Sequence, residues 1–125
     1  DILRKLASGE TITTNPYPDI LAIKDGSEVT RVAVKDIQWI DAAGDYMCVH
    51  AMDQTHIMRR TMKELEKDLD PKKFVRAHRS AMVNIKFVQK MVSHISGEYH
   101  LILNNGTELK VSRSHRDRVK EMIRL

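Results

Sequence analysis

The sequence contains one cysteine, few aromatic residues and no long hydrophobic run. Cys48 alone cannot form an internal disulfide, which favours a reducing compartment. No apolar run approaches the roughly 18 residues that a membrane span needs, and the first residues lack the apolar centre of a signal peptide. We therefore expect a cytoplasmic protein, and the length of 125 residues predicts one domain with a single core.

Motifs for catalysis and metal binding are lacking as well. There is no Gly-rich phosphate loop, no nucleophile elbow and no paired-carboxylate motif. A metal-dependent hydrolase would depend on histidine count alone, because the histidines at 50, 56, 78, 94, 100 and 115 include no His-x3-His pair. His50 and His56 would lie side by side only across an odd-numbered turn. The sequence thus predicts no catalytic residue, no metal site and no cofactor.

Charge is distributed unevenly along the chain. Residues 1–71 contain 9 Lys and Arg against 13 Asp and Glu, whereas residues 72–125 contain 12 against 4. A strongly basic half points to a polyanionic partner, because contacts with phosphates supply most of the affinity for nucleic acid. A solvated basic face explains the same charge, and charge alone leaves both interpretations open.

Turn signals divide the chain into short segments. Residues 1–18 resemble an interdomain linker, because TITTNPYPD favours extended or turn backbone. From Ile20 onward, apolar runs such as ILAIK, VTRVAV, IQWI and YMCVH alternate with turns, which is typical of an antiparallel, mostly β domain. We therefore predict a mainly β fold over residues 19–125, elongated, with one short internal helix and one C-terminal helix.

Two hairpins are predicted in more detail. Asp53 and Gln54 form the expected turn of the first. In the second, a three-residue loop at 104–106 with Gly106 in the left-handed region would pair Leu101 with Leu109 and Tyr99 with Val111, which places apolar residues on one face. A two-residue loop would pair Leu101 with Lys110 instead.

Two helices are expected between and after the strands. Thr61 and Glu64 have the spacing of a capping box, and the apolar residues Met62, Leu65 and Leu69 precede a stop at Asp70-Pro71. The second helix is predicted to begin at Ser114 and to bury Val119, Met122 and Ile123. Beside that apolar face lies a basic stripe, either solvated or tracking phosphates, formed by Arg116, Lys120 and Arg124.

The stretch FVRAHRSAMVN at 74–84 contains an anomaly. Small apolar residues occupy odd positions from Val75 to Val83, as in a half-buried strand, but position 79 is an arginine between His78 and Ser80. The fork of an arginine suits guanine edges or phosphates, and serine hydroxyls suit phosphate oxygens. A structural ion pair of Arg79 with an acidic residue is the alternative.

Three segments resemble the LytTR-type DNA-binding domain of LytR/AlgR response regulators. IQWIDAAGDYMCVH at 37–50 is similar to its first hallmark, TMKELEKDLDPKKFVRAHRSAMVN at 61–84 to its helix and signature, and LKVSRSHRDRVKEM at 109–122 to its closing strand and helix. The resemblance implies a β fold that inserts loops into successive major grooves of paired direct-repeat sites. It also implies an upstream receiver domain, which we expect to be absent from this chain, and a monomer that pairs on DNA.

The resemblance also implies which residues contact double-stranded DNA. Arg79 matches the contact position of the signature, the loop at Gly44 corresponds to a second region, and the segment after Ser112 to a third. The predicted DNA-binding residues are Asp45, Tyr46, His78, Arg79, Ser80, Ser112, Arg113, Ser114, Arg116 and Lys120. Position 114 departs from the family in being Ser, so the third contact passes to Arg113 or Arg116.

Other interpretations remain open at this point. Burial or turn hydrogen bonding explains Phe74, His78 and Asn84 at least as well as DNA contact does. Trp39 is expected in the core. The alternative function is an RNA-binding or general basic adaptor domain, which shares the charge distribution but lacks an evident stacking platform of exposed aromatic residues.

Overall fold

The computed structural model describes residues 17–124. Its strands and helices are β1 (Ile20–Asp25), β2 (Glu28–Ala33), β3 (Ile37–Ala43), β4 (Tyr46–Ala51), β5 (Gln54–Met58), α1 (Met62–Asp68), β6 (Phe74–His78), β7 (Ala81–Asn84), β8 (Val88–Ser93), β9 (Tyr99–Leu103), β10 (Glu108–Val111) and α2 (Arg113–Met122). The predicted mainly β fold with two helices is confirmed. Most of the predicted linker, residues 1–16, lies outside the described residues.

The strands form three antiparallel sheets. β1 and β2 make a hairpin, β5-β4-β3-β7-β6 make a central sheet, and β10-β9-β8 make a third sheet. Every described strand pair is antiparallel, as the turn-rich sequence predicted. Neither helix in residues 17–124 is long and apolar enough to cross a membrane.

The central sheet is covered on both faces. The first core contains Ile37, Ile40 and Val49 together with residues of the β1–β2 hairpin and α1. The second core joins Val75 and Val83 to the third sheet and to α2. Because β7 is sandwiched between these cores, all four of its residues are buried.

The single tryptophan lies at the edge of the second core. Trp39 is half-buried rather than fully enclosed, and it packs against that core. Its ring stacks on His50 with 3.9 Å between the centroids. His50 in turn contacts Asp41 at 2.7 Å. The predicted core position is therefore confirmed only in part, since one face of the ring covers a polar pair.

The capping box of α1 is confirmed in both directions. The Glu64 N–H donates to Thr61 Oγ1 at 3.1 Å, and the Thr61 N–H donates to Glu64 Oε1 at 2.9 Å. Met62, Leu65 and Leu69 are buried, as their spacing predicted.

The predicted start of α2 at Ser114 is wrong. Ser112 is the N-cap, because its N–H is held by the Ala77 carbonyl at 2.9 Å while its own carbonyl accepts the His115 N–H at 3.2 Å. Val119 is fully buried, whereas Met122 and Ile123 are only half-buried. The helix therefore begins one residue after Ser112, at Arg113.

The two hairpin predictions have different outcomes. The three-residue loop at 104–106 is confirmed, since Leu101 lies opposite Leu109, Tyr99 lies opposite Val111, and Gly106 has φ +92°. The first turn is shifted by one residue from the prediction and consists of Met52 and Asp53, because Ala51 pairs with Gln54.

The turn at Met52 and Asp53 separates the two histidines beside it. With two residues in the turn, His50 pairs with Thr55 and His56 pairs with Val49. Adjacent positions on a strand point to opposite faces, so His50 and His56 lie on opposite faces of the hairpin. This is the even-numbered alternative.

The stretch at 74–84 is not one strand. β6 and β7 pair as a hairpin in which His78 lies opposite Ala81, so Arg79 and Ser80 form a two-residue turn. The pairing shifts by one residue between Arg76 and His78, and Val75 lies opposite Val83. This bulge keeps the odd-numbered residues of both strands on one face, which is why the sequence reads as an uninterrupted alternation.

Candidate nucleic-acid interface

Arg79 lies at the exposed tip of the β6–β7 hairpin. The turn is held from within by Arg76, whose guanidinium donates to the carbonyls of Arg79 at 2.7 Å and His78 at 3.3 Å. The Ser80 N–H donates to His78 Nδ1 at 3.1 Å. Arg79 takes part in no ion pair among residues 17–124, so the alternative of a structural ion pair finds no support there.

The β3–β4 turn lies beside this tip in the central sheet. The Ala42 N–H donates to the Ser80 carbonyl at 2.9 Å, so the β6–β7 turn is bonded to the end of β3 that leads into the β3–β4 turn. Gly44 adopts φ +63°, a left-handed conformation that glycine accepts without strain. Asp45 is exposed and Tyr46 is 46% exposed, so the predicted loop residues face solvent next to Arg79.

The junction of β10 and α2 joins the tip from the other side. The hydrogen bond between Ser112 and Ala77 links the end of β10 to β6. Between them lies an open depression of about 330 Å³, lined by His78, Arg79, Lys110, Ser112, Ser114 and His115. Four of the ten predicted DNA-binding residues therefore line one concave surface.

The polar groups of the depression are arranged around His115. Ser112 Oγ lies 2.8 Å and Ser114 Oγ lies 3.3 Å from His115 Nδ1. The two hydroxyls are 3.3 Å apart. These short contacts fix the serine side chains at the start of α2, where their hydroxyls and the first helical N–H groups are suited to a phosphate oxygen.

Both histidines of the depression are held in the neutral form near neutral pH. Burial lowers the pKa of His78, and it is lowered further by His115, whenever that ring is protonated, and by the positive charge of Arg76. Burial also lowers the pKa of His115, with Arg76 adding to the effect. The positive charge of this depression at neutral pH therefore comes from Arg79 and from Lys110, whose ammonium also contacts Glu98 at 3.1 Å.

Arg116 and Lys120 lie on a different face of α2. The Arg116 guanidinium is 5.6 Å and the Lys120 ammonium 4.5 Å from the ring centroid of Tyr99. Both side chains are half-buried. Two of the three members of the predicted basic stripe thus cover an aromatic ring, and neither lines the depression with Arg79.

Two basic residues near the predicted site were not predicted. Lys110 lines the depression, and the Arg59 guanidinium lies 6.0 Å from the ring centroid of Tyr46. Arg59 belongs to the acidic half of the chain, so the charge distribution gave no reason to choose it. The strand register explains its position beside Tyr46, because Met58 pairs with Met47 and the next residue, Arg59, lies at the level of Tyr46.

The remaining residues of the signature have structural roles. Phe74 is buried in the first core. Asn84 is also buried, where its Nδ2 donates to the Ile37 carbonyl at 2.9 Å and its Oδ1 accepts the Lys86 N–H at 3.2 Å. These bonds satisfy a buried amide, as burial of a polar group requires.

Comparison with known proteins identifies the family. The family model of the LytTr DNA-binding domain matches residues 27–124. The chain belongs to the LytTr DNA-binding domain family. The resemblance read from the three sequence segments is thus confirmed, because all three lie within the matched range.

Relatives of this LytTr domain are sensory and transcriptional regulators. The sensory transduction protein LytT of Bacillus subtilis (strain 168) is 27% identical over 84% of this chain and 44% of its own length. The transcriptional regulatory protein LytR of Staphylococcus aureus (strain N315) is 30% identical over 78% of this chain and 40% of its own length. The chain spans less than half the length of these relatives.

A solved structure shares the fold. The LytTr DNA-binding domain of a putative methyl-accepting/DNA response regulator from Bacillus cereus superposes with a TM-score of 0.78, at 20% identity, over 86% of this chain and 99% of that one. In this LytTr domain the fold brings the β3–β4 turn, the β6–β7 turn and the start of α2 to one end of the central sheet.

Proposed function

We propose that this LytTr domain binds double-stranded DNA sequence-specifically through three segments around Arg79, namely the β3–β4 turn, the β6–β7 turn and the start of α2. The observation that carries the proposal is the convergence of these segments. The Ser80 carbonyl joins the β6–β7 turn to the end of β3, next to the β3–β4 turn, and the Ser112 N–H joins β10 and α2 to β6. Segments separated by more than 60 residues of sequence thereby form one continuous polar surface.

Arg79 is the proposed base-reading residue. Its side chain is exposed at the tip of a turn that Arg76 holds in place, so the guanidinium can enter a groove without breaking an existing ion pair. A guanidinium presents two parallel N–H donors to guanine O6 and N7, which is the commonest specific contact in the major groove. Ser80, His78, Asp45 and Tyr46 flank it.

The third contact is assigned to Arg113. Arg113 is exposed at the first position of α2, between Ser112 and Ser114, which both line the depression beside Arg79. Arg116 lies over Tyr99 and is half-buried. Since Arg116 would have to leave that ring to reach the groove, Arg113 is the better placed of the two candidates.

The whole regulator is proposed to be a bacterial transcription factor of the response-regulator type. The relatives are named as sensory transduction and transcriptional regulatory proteins, and the domain here accounts for less than half of their length. We propose that the LytTr domain is the output module, that a receiver domain lies elsewhere in the regulator, and that the isolated domain is a monomer which pairs on direct-repeat sites.

Selection from random duplex DNA tests the DNA-binding proposal. We expect sequencing of the enriched pool to show two short repeats about one helical turn apart, as half-site geometry requires. An unenriched duplex pool alongside tight binding of single-stranded RNA would overturn the proposal in favour of an RNA-binding module. Sedimentation of the free domain should show a monomer, and a stable dimer without DNA would contradict the pairing on DNA.

A further inference from the structure

The outer face of the third sheet contains a second group of functional side chains. On β9, Leu101 and Leu103 point into the second core, so His100, which comes directly before Leu101, points away from it. β10 brings Glu108 to this outer face, because Glu108 lies opposite Ile102, the next outward residue after His100. The β8–β9 turn brings His94, whose N–H donates to the Glu98 carbonyl at 2.8 Å.

These three side chains are already close enough to share one ion. The rings of His94 and His100 lie edge to face with 4.3 Å between their centroids, and His100 Nδ1 contacts the Glu108 carboxylate. Three possible ligand atoms, one from each residue, lie within 4.8 Å of one another. In a tetrahedral zinc site with bonds of about 2.1 Å the ligand atoms are about 3.4 Å apart. Side-chain rotations that move the ligand atoms by about 1 Å therefore bring them to this spacing.

A second carboxylate stands beside the other nitrogen of His100. Glu98 Oε1 is 3.8 Å from His100 Nε2, and Glu98 Oε2 is held by Lys110 Nζ at 3.1 Å. His100 Nε2 is enclosed and has no hydrogen-bond partner among the described residues. When Nδ1 binds a metal, the ring proton resides on Nε2, which can then donate a hydrogen bond to the nearby Glu98 carboxylate that orients the ring.

We propose that His94, His100 and Glu108 bind one divalent transition-metal ion of the zinc class, with water in the fourth position. Two imidazoles and one carboxylate suit zinc, whereas magnesium and calcium prefer oxygen ligands alone. Binding replaces the direct contact between His100 Nδ1 and the Glu108 carboxylate with one bond from each residue to the ion. The site does not depend on the proposed DNA contacts, since none of its three ligands lines the depression around Arg79.

Sequence spacing did not reveal this site, because its ligands lie on three different segments, namely the β8–β9 turn, β9 and β10. His94 and His100 are separated by the turn at Gly97, which adopts φ +89°, and Glu108 begins β10 after the following turn. A search for two histidines on one turn of helix finds nothing here. The prediction of no metal site, which relied on that spacing, is revised by this proposal.

Calorimetric titration of the untagged, chelator-treated domain with zinc chloride tests the site. We expect saturable binding of one equivalent per chain, no saturation with magnesium chloride, and a melting temperature that rises with zinc concentration. Cobalt chloride should give the visible absorption bands of a four-coordinate site. His100→Ala should weaken zinc binding at least tenfold, and the control His56→Ala on β5 should bind zinc as the parent does.

Two results would overturn the proposal. One is the absence of a saturable equivalent of zinc on the parent domain. The other is unchanged binding in both His94→Ala and Glu108→Gln. If His100→Ala loses the circular dichroism of the folded domain, Glu108→Gln decides instead, because Glu108 is exposed and contributes nothing to either core.

Discussion

The guanidinium of Arg76 donates a hydrogen bond of 2.7 Å to the backbone carbonyl of Arg79. The two arginines of one hairpin therefore have different tasks. Arg76 is mostly enclosed, with its side chain 18% exposed, and it also contacts Glu66 at 3.0 Å on α1. Arg79 is left with an exposed side chain on a turn that its neighbour holds.

Replacing Arg76 should damage both stability and binding. Arg76→Ala removes two charge-assisted bonds to turn carbonyls, so we expect the free energy of unfolding to fall by about 1.5–3 kcal/mol in urea titrations. Affinity for the selected DNA should fall as well, because the turn at Arg79 is no longer fixed. Glu66→Gln is the control, since it removes only a half-exposed ion pair worth roughly 0–1 kcal/mol. Equal losses in the two variants would contradict this assignment.

The salt dependence of DNA binding should be steep. If the basic residues around the depression and on α2 neutralise about five to eight phosphates, log affinity should fall against log salt with a slope of roughly −4 to −7. Fluorescence anisotropy at several potassium chloride concentrations measures the slope. A nearly flat dependence would mean that this surface does not follow a phosphate backbone.

Lys120 should act without regard to base sequence. If its ammonium contacts only phosphate, Lys120→Ala should weaken all duplexes alike and reduce the salt slope by about one. Because this ammonium lies 4.5 Å from the Tyr99 ring centroid, the variant should also lose about 0.5–1 kcal/mol of stability. Lys90→Ala, an exposed lysine on β8, is the matched control. Altered base preference in Lys120→Ala would show that Lys120 reads bases.

Stability should decline as the solution is acidified from pH 7.5 to pH 5.5. The folded pKa values of His78 and His115 lie below the ordinary value of 6.5 because both side chains are partly buried. As pH falls through about 6.5, the unfolded chain takes up protons that the folded chain does not, so the free energy of unfolding falls. The lowered pKa values of Glu64 and Glu98 place their titration below this range.

Urea titrations at the two pH values measure this decline. His115→Gln should show a smaller decline than the parent, because one of the two titrating groups is gone. His56→Gln, outside the cluster, should decline as the parent does. The same decline in His115→Gln and in the parent would contradict the assignment to this histidine.

Local chemistry predicted several elements of this fold correctly. The capping box at Thr61 and Glu64 and the loop at Asn104-Asn105-Gly106 each depend on residues close in sequence, so their geometry follows from side-chain type and spacing. The mainly β class followed from the frequency of turn signals. The family resemblance then identified the three segments that the structure joins around Arg79.

Features that depend on pairing between distant strands could not be predicted in this way. The bulge between Arg76 and His78 preserves the odd-numbered alternation across a turn, so a hairpin imitates a single strand. The start of α2 is fixed by a hydrogen bond from Ser112 to Ala77, which is 35 residues earlier in the chain. Arg59 and the cluster of His94, His100 and Glu108 likewise depend on strand register.

The central claim is that Arg79 reads a base, and affinity of Arg79→Ala for specific and random duplexes tests it most directly. Arg31→Ala, an exposed arginine on β2, is the matched control and should bind as the parent does. We expect Arg79→Ala to lose about 1–3 kcal/mol on the specific site, to lose preference at one base position, and to weaken less on random DNA. Its melting temperature should stay close to that of the parent, because an exposed side chain supports little structure. Unfolding of Arg79→Ala, or unchanged affinity and base preference, would contradict the claim and make Arg79 a structural residue.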